Sequence, residues 1–143
     1  MKLVLDTNVL ISGLLNPQGT PGTILFQLKQ SDWKVLWDER IFSEYQEVLG
    51  RSKFNFTPSR IHDLLQAIQG HGVRIFPQGL DLTLPDPDDL PFLEVAVAGR
   101  ADFLITGNLK DFPVESRYGI RVVAPAEFYH AQSLTLPAQP IKR

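Results

Sequence analysis

Leu3, Val4 and Leu5 form an apolar triplet, the polar residues Asp6, Thr7 and Asn8 follow, and a second apolar stretch then runs to Leu15. A short apolar run bounded by polar residues reads as a buried strand, and the longer stretch behind it as a helix. The same alternation continues along the chain. Thr20 as cap and Pro21 at the first helical position open a helix over "TPGTILFQLKQ", a frequent start signal. "WKVLW" at 33–37 reads as a second strand, and 39–50 as a helix closed by Gly50. Behind Thr57 and Pro58, the residues Ile61, Leu64, Leu65 and Ile68 recur at i, i+3, i+4 and i+7, with Gly70 and Gly72 as stop signals; this is the clearest helix in the chain. "VRIF" at 73–76, "DFLIT" at 102–106 and "RVV" at 121–123 read as strands. A loop spans Pro77 to Asp88, a helix follows to about Ala98, and "PAEFYHA" is a short helix begun by Pro125.

Strands alternating with helices imply a parallel sheet covered on both faces. Sites in such sheets form beyond the carboxyl ends of the strands. Asp6 follows the first strand directly, and Thr106, Gly107 and Asn108 end the strand "DFLIT", so both segments deliver polar residues to one edge. No repeat or long linker divides the chain: residues 1–131 read as one domain and 132–143 as a mobile tail.

Composition narrows the class. With 143 residues and 43% hydrophobic content, one domain can bury about 70% of its unfolded surface. The absence of cysteine excludes a disulfide framework and any thiolate metal site, and fits a reducing compartment, with the cytoplasm as the expected location. No apolar run approaches the roughly 20 residues that cross a bilayer. The net charge of −2 leaves no general basic field, so a nucleic acid must be held by a local patch or through metal ions.

The candidate chemistry lies in the acids. A secretion signal does not explain the first segment, because Asp6 and Asn8 split it and no convincing cleavage site follows. A helix cap accounts for one of these two polar residues and leaves the other to explain. In the helix over 39–50, Glu44 borders the apolar stripe of Ile41, Phe42, Tyr45, Val48 and Leu49, whereas Glu47 lies opposite it; Glu44 should face a groove and Glu47 solvent. Asp89 precedes Phe92, Leu93 and Ala96 at i+3, i+4 and i+7, which places it over the inward face in a first turn that favours a carboxylate. Asp88 reads as the cap there and Asp86 as loop. Carboxylates without histidine or cysteine suit magnesium or manganese rather than zinc, and His62, His71 and His130 lack ligand spacing.

Three blocks, "LDTNVLISG", Glu44 in "SEYQEVL", and "DPDDLPFLEVAVAGRADFLITGNLKDF", taken in this order and spacing, resemble the PIN-domain family over residues 2 to about 125. That family comprises nucleases, among them toxin components of bacterial and archaeal toxin–antitoxin pairs. The resemblance implies a three-layer α/β/α sandwich with a mostly parallel sheet of four to five strands. It also implies an acidic pocket for Mg2+ or Mn2+ and hydrolysis of RNA phosphodiesters to leave a 5′-phosphate and a 3′-hydroxyl. Carried over, the catalytic and metal-binding acids are Asp6, Glu44 and Asp89, with Asn8 and Thr106 as polar supports. The fourth family acid falls on Asn108, a departure that weakens a second metal site, and Asp111 stands three residues on as partial compensation. A small antitoxin and a homodimer are the partners the resemblance implies.

Other readings use the same residues less well. A haloacid-dehalogenase-type domain needs an Asp where Asn8 stands. A receiver domain matches Thr106 and Lys110 but leaves Glu44 and Asp89 unused. A silent binding module that keeps the fold is the third possibility. Arg51, Lys53 and Arg60, interleaved with Phe54 and Phe56, form a basic and aromatic patch that can hold single-stranded RNA; core anchoring of the phenylalanines and ordinary solvation of the charges explain it equally.

Overall fold

The computed structural model describes residues 1–135. These form strands β1 (Lys2–Leu5), β2 (Lys34–Trp37), β3 (Val73–Arg74), β4 (Phe103–Ile105) and β5 (Val122–Val123). The helices are α1 (Thr7–Leu15), α2 (Thr20–Gln30), α3 (Glu39–Leu49), α4 (Pro58–His71), α5 (Leu90–Gly99) and α6 (Pro125–Thr135). Every strand pair is parallel, in the order β3-β2-β1-β4-β5. The chain moves outward from β1 to β3 and then crosses back to β4 through α5. Right-handed crossovers put that returning helix on the opposite face from the outgoing ones. Accordingly α5 packs on β1, β2 and β4, while α4 lies on β2, α6 on β4, and α2 against both α4 and α6. The result is the expected three-layer α/β/α sandwich.

The central strands are apolar because they are covered twice. Leu3, Val4, Leu5, Leu104 and Ile105 are completely buried. Phe128 of α6 packs edge-on against Trp33 and Phe103, with ring centroids 5.4 and 5.2 Å away. The one acid of α5, Glu94, is buried among apolar neighbours. It accepts hydrogen bonds from Arg40 and from the Leu80 N–H, both at 2.7 Å, and Arg40 also bridges to Asp38. This network ties the loop before α5 to the start of α3.

Several boundaries differ from the sequence reading. Gly19, not Thr20, caps α2, so Thr20 and Pro21 are its first two residues. Gly70 lies inside α4. β3 stops at Arg74, although the Ile75 N–H still donates to the Trp37 carbonyl at 2.7 Å. α6 runs beyond "PAEFYHA" to Thr135, so residues 132–135, read as tail, are helical; 136–143 lie outside the described residues. Among the described residues no helix is long and apolar enough to cross a membrane.

Candidate active site

The strand order reverses between β1 and β4, and their carboxyl ends therefore flank a crevice where ligands bind in open α/β sheets. Leu5 pairs with Ile105, so Asp6 and Thr106 emerge side by side. Asp6 is the N-cap residue of α1 but makes no side-chain capping bond. Its Oδ2 instead accepts from the Thr106 hydroxyl at 2.8 Å and from Asn8 Nδ2 at 3.3 Å. Nor does Asn8 cap the helix: its Oδ1 accepts from the Gly107 N–H at 2.9 Å. Both polar residues that interrupt the first apolar run are thus turned toward the crevice. Thr106, completely buried, also accepts from the Asn108 N–H at 3.0 Å.

Tyr45 brings the second acid to this place. Its buried hydroxyl donates to the carbonyl of Leu5, which lays the middle of α3 over the end of β1. The charges of Asp6, Glu44 and Asp38 add to burial in holding that phenol well above its usual range, so it stays a donor. Glu44, next in the helix, is half-buried and accepts from the Thr7 hydroxyl. Glu47 faces solvent and pairs with Arg51 at 2.8 Å, as its place opposite the stripe requires.

Asp89 enters from the third side. It ends a 3-10 turn and is the N-cap residue of α5, again without a capping bond. Asp86, read as loop, caps that turn through the Asp88 N–H at 3.0 Å, and Asp88, read as the cap, is exposed. Asp89 is buried, and its Oδ2 has no hydrogen-bond partner. Burial pushes its carboxyl up to about 8, helped by the charges of Asp6, Asp86 and Asp111 and by a hydrogen bond shared with Asp111. Burial likewise raises Asp6 to about 6; the Thr106 hydroxyl and Thr7 N–H oppose this, and Glu44 and Asp111 add to it. Asp111 is half-buried and accepts from Asn108 Nδ2 at 2.8 Å. The Asn108 amide is therefore turned to Asp111. Gly107 has no left-handed backbone; it is the approach of Asn8 Oδ1, 3.3 Å from where a Cβ would stand, that favours glycine there.

Asp6, Glu44, Asp89, Asn8, Thr106, Asn108 and Asp111 are thus linked by contact or charge around one crevice. Among the described residues no three acidic or histidine side chains meet as a ready-made ion cage. The donor set nevertheless fits magnesium or manganese. Such ions keep several waters and need only one or two carboxylates, and the partnerless Asp89 Oδ2 and the mutual repulsion of Asp6 and Asp89 are what a cation would relieve.

Thr7 and Tyr45 were not recognised from the sequence as parts of the site, although both adjoin acids that were. The basic patch follows α3, and Arg51 lies within range of the Glu44 charge. Phe54 and Phe56 stack with centroids 5.5 Å apart, Lys53 sits over Phe54 and Arg60 over Phe56. Arg60 also donates to the Leu14 carbonyl at 2.7 Å, and Arg51 is engaged by Glu47. A cleft of about 510 Å³ bordered by Met1, Phe103 and Arg121 contains none of these acids.

A parallel sandwich with buried acids at its switch point is consistent with the nuclease-type fold that a family match indicates. The family model described as PIN domain matches residues 2–110, and the chain belongs to that family, whose members are generally nucleases and usually use divalent metal ions. The chain is also similar to a Methanocaldococcus jannaschii protein, uncharacterized protein MJ1680. The two are 29% identical over 147 aligned positions, which cover 90% of this chain and 89% of that protein.

Proposed function

We propose that the chain is a Mg2+- or Mn2+-dependent endoribonuclease that hydrolyses RNA phosphodiesters in the crevice of Asp6, Glu44 and Asp89, and that it is the toxin of a toxin–antitoxin pair. The observation that carries this reading is the burial of two carboxyls, Asp6 and Asp89, with raised affinities for protons and one oxygen unpaired. A fold keeps such a costly pair where a cation or a proton is needed. Asp6, oriented by Thr106 and Asn8, and Asp89 would hold the ion, with Glu44 direct or through water. When bound, a divalent ion polarises a phosphoryl oxygen and acidifies a water. Glu44 has one oxygen fixed by Thr7 and can use the other to orient the attacking water. Asn108 and Asp111, bonded to each other, border the pocket and supply one negative charge between them.

Manganese-dependent cleavage of a fluorescent RNA oligonucleotide, lost in Asp6→Asn, is the expected result. The second reading, a binding module without catalysis, draws on Asn108 in place of an acid; RNA binding without cleavage at any metal concentration would select it. The toxin role is tested by growth, and its small antitoxin partner by co-expression of the adjacent gene product, which should restore growth. Expression of the chain alone should arrest a bacterial host, and Asp6→Asn should restore growth. A homodimer is the proposed solution state.

A further inference from the structure

We infer that Phe76 and Arg74 form a nucleobase-stacking subsite for single-stranded RNA, beside the acid pocket on the same edge of the sheet; this rests on the nuclease reading above. Phe76 is 79% exposed, more than any other large apolar side chain described. The Arg74 guanidinium lies 4.9 Å from its ring centroid. Strand register fixes where the pair emerges. Leu3 pairs with Val35, and Trp37 with Arg74, so Asp6, Asp38 and Ile75 stand at one level and Phe76 one residue beyond. β3 is two strands from β1, about 10 Å, a distance that one or two nucleotides of an extended strand cover.

Charge favours this path. The pocket acids repel phosphates, so a strand needs cations at the rim. Arg40 is consumed by Asp38 and Glu94. Among the described residues the one ion pair of Arg74 is to Glu39, a 67% exposed side chain from which it can readily be drawn away. On the other side of the pocket Lys110 is exposed beside Asp111. A strand running from β3 toward β4 passes Phe76 and Arg74, then Asp38 with Arg40 at the end of β2, then the pocket acids, then Lys110. An exposed aromatic face is sequence-tolerant and needs an unpaired base, which makes single strands the substrate class.

The test is fluorescence anisotropy with a short unstructured RNA, in Mn2+, on the Asp6→Asn protein so that the strand survives. Phe76→Ala should weaken binding at least about fivefold, Phe76→Trp should retain it, and Phe76→Leu should not. Phe26→Ala, which removes another exposed phenylalanine, should leave it unchanged, and so should Phe76→Ala with a blunt duplex. Undiminished affinity in Phe76→Ala, or full recovery in Phe76→Leu, overturns the subsite while the nuclease reading stands. A wild-type chain that neither binds nor cleaves RNA overturns both.

Discussion

Asp89 sits at a helix N-terminus without capping it, and is buried without a partner for Oδ2. Its proton affinity makes a stability prediction. An unfolded aspartate titrates near 3.9, whereas the folded carboxyl titrates at about 8. The folded state therefore holds the proton more tightly, and this contribution to stability is fully present below about pH 4 and lost as pH rises through about 8. Asp6 acts in the same direction, through about 6. Thermal melts in chelator should show a melting temperature that falls from pH 5 to pH 8.5, and Asp89→Asn should raise the melting point at pH 8 and flatten the curve. A wild-type profile that is flat or rises over this interval would remove the electrostatic cost from Asp89. The acids were legible because helical position alone separates Glu44 from Glu47 and sets Asp89 over Phe92 and Leu93. Thr7 and Tyr45 were not, since their partners Glu44 and Leu5 lie 37 and 40 residues away, beyond any local period.

At the scale of elements, Gly70 and Gly72 carry the same stop signal in the sequence and different constraints in the fold. A Cβ on Gly70 would meet nothing within 4 Å, whereas one on Gly72 would stand 2.2 Å from the Ile68 carbonyl oxygen and 2.3 Å from that of Val35. Gly72 lets α4 turn directly into β3 against β2. Gly70→Ala should therefore stabilise by up to about 1 kcal/mol through helix propensity, and Gly72→Ala should destabilise by at least about 1 kcal/mol. Urea unfolding midpoints check both signs; equal effects would place the close approach elsewhere. The same limit explains the exchanged roles of Asp86 and Asp88. Composition announces a capped turn near Pro87, and only the backbone decides which carboxylate reaches an N–H.

Across the chain, alternation of strand and helix signals was enough to predict a parallel sandwich, and the ends of β1 and β4 do bring Asp6 and Thr106 to one edge. Strand order was not legible, because it depends on which helix returns across the sheet. It matters to function: only with β4 beside β1 do residues a hundred positions apart, Asp6 and Thr106, share a hydrogen bond.

If Asp6 and Asp89 hold a divalent cation, as proposed, metal binding should displace the proton that burial keeps on Asp89. Calorimetric titration of Mn2+ at pH 7, repeated in buffers of different ionisation enthalpy, reads that proton directly. About one proton should be released per ion bound, and Asp89→Asn should abolish the release and weaken the binding, while Glu47→Gln changes neither. Binding without proton release, or no binding by the folded wild-type protein, would rule out this metal site.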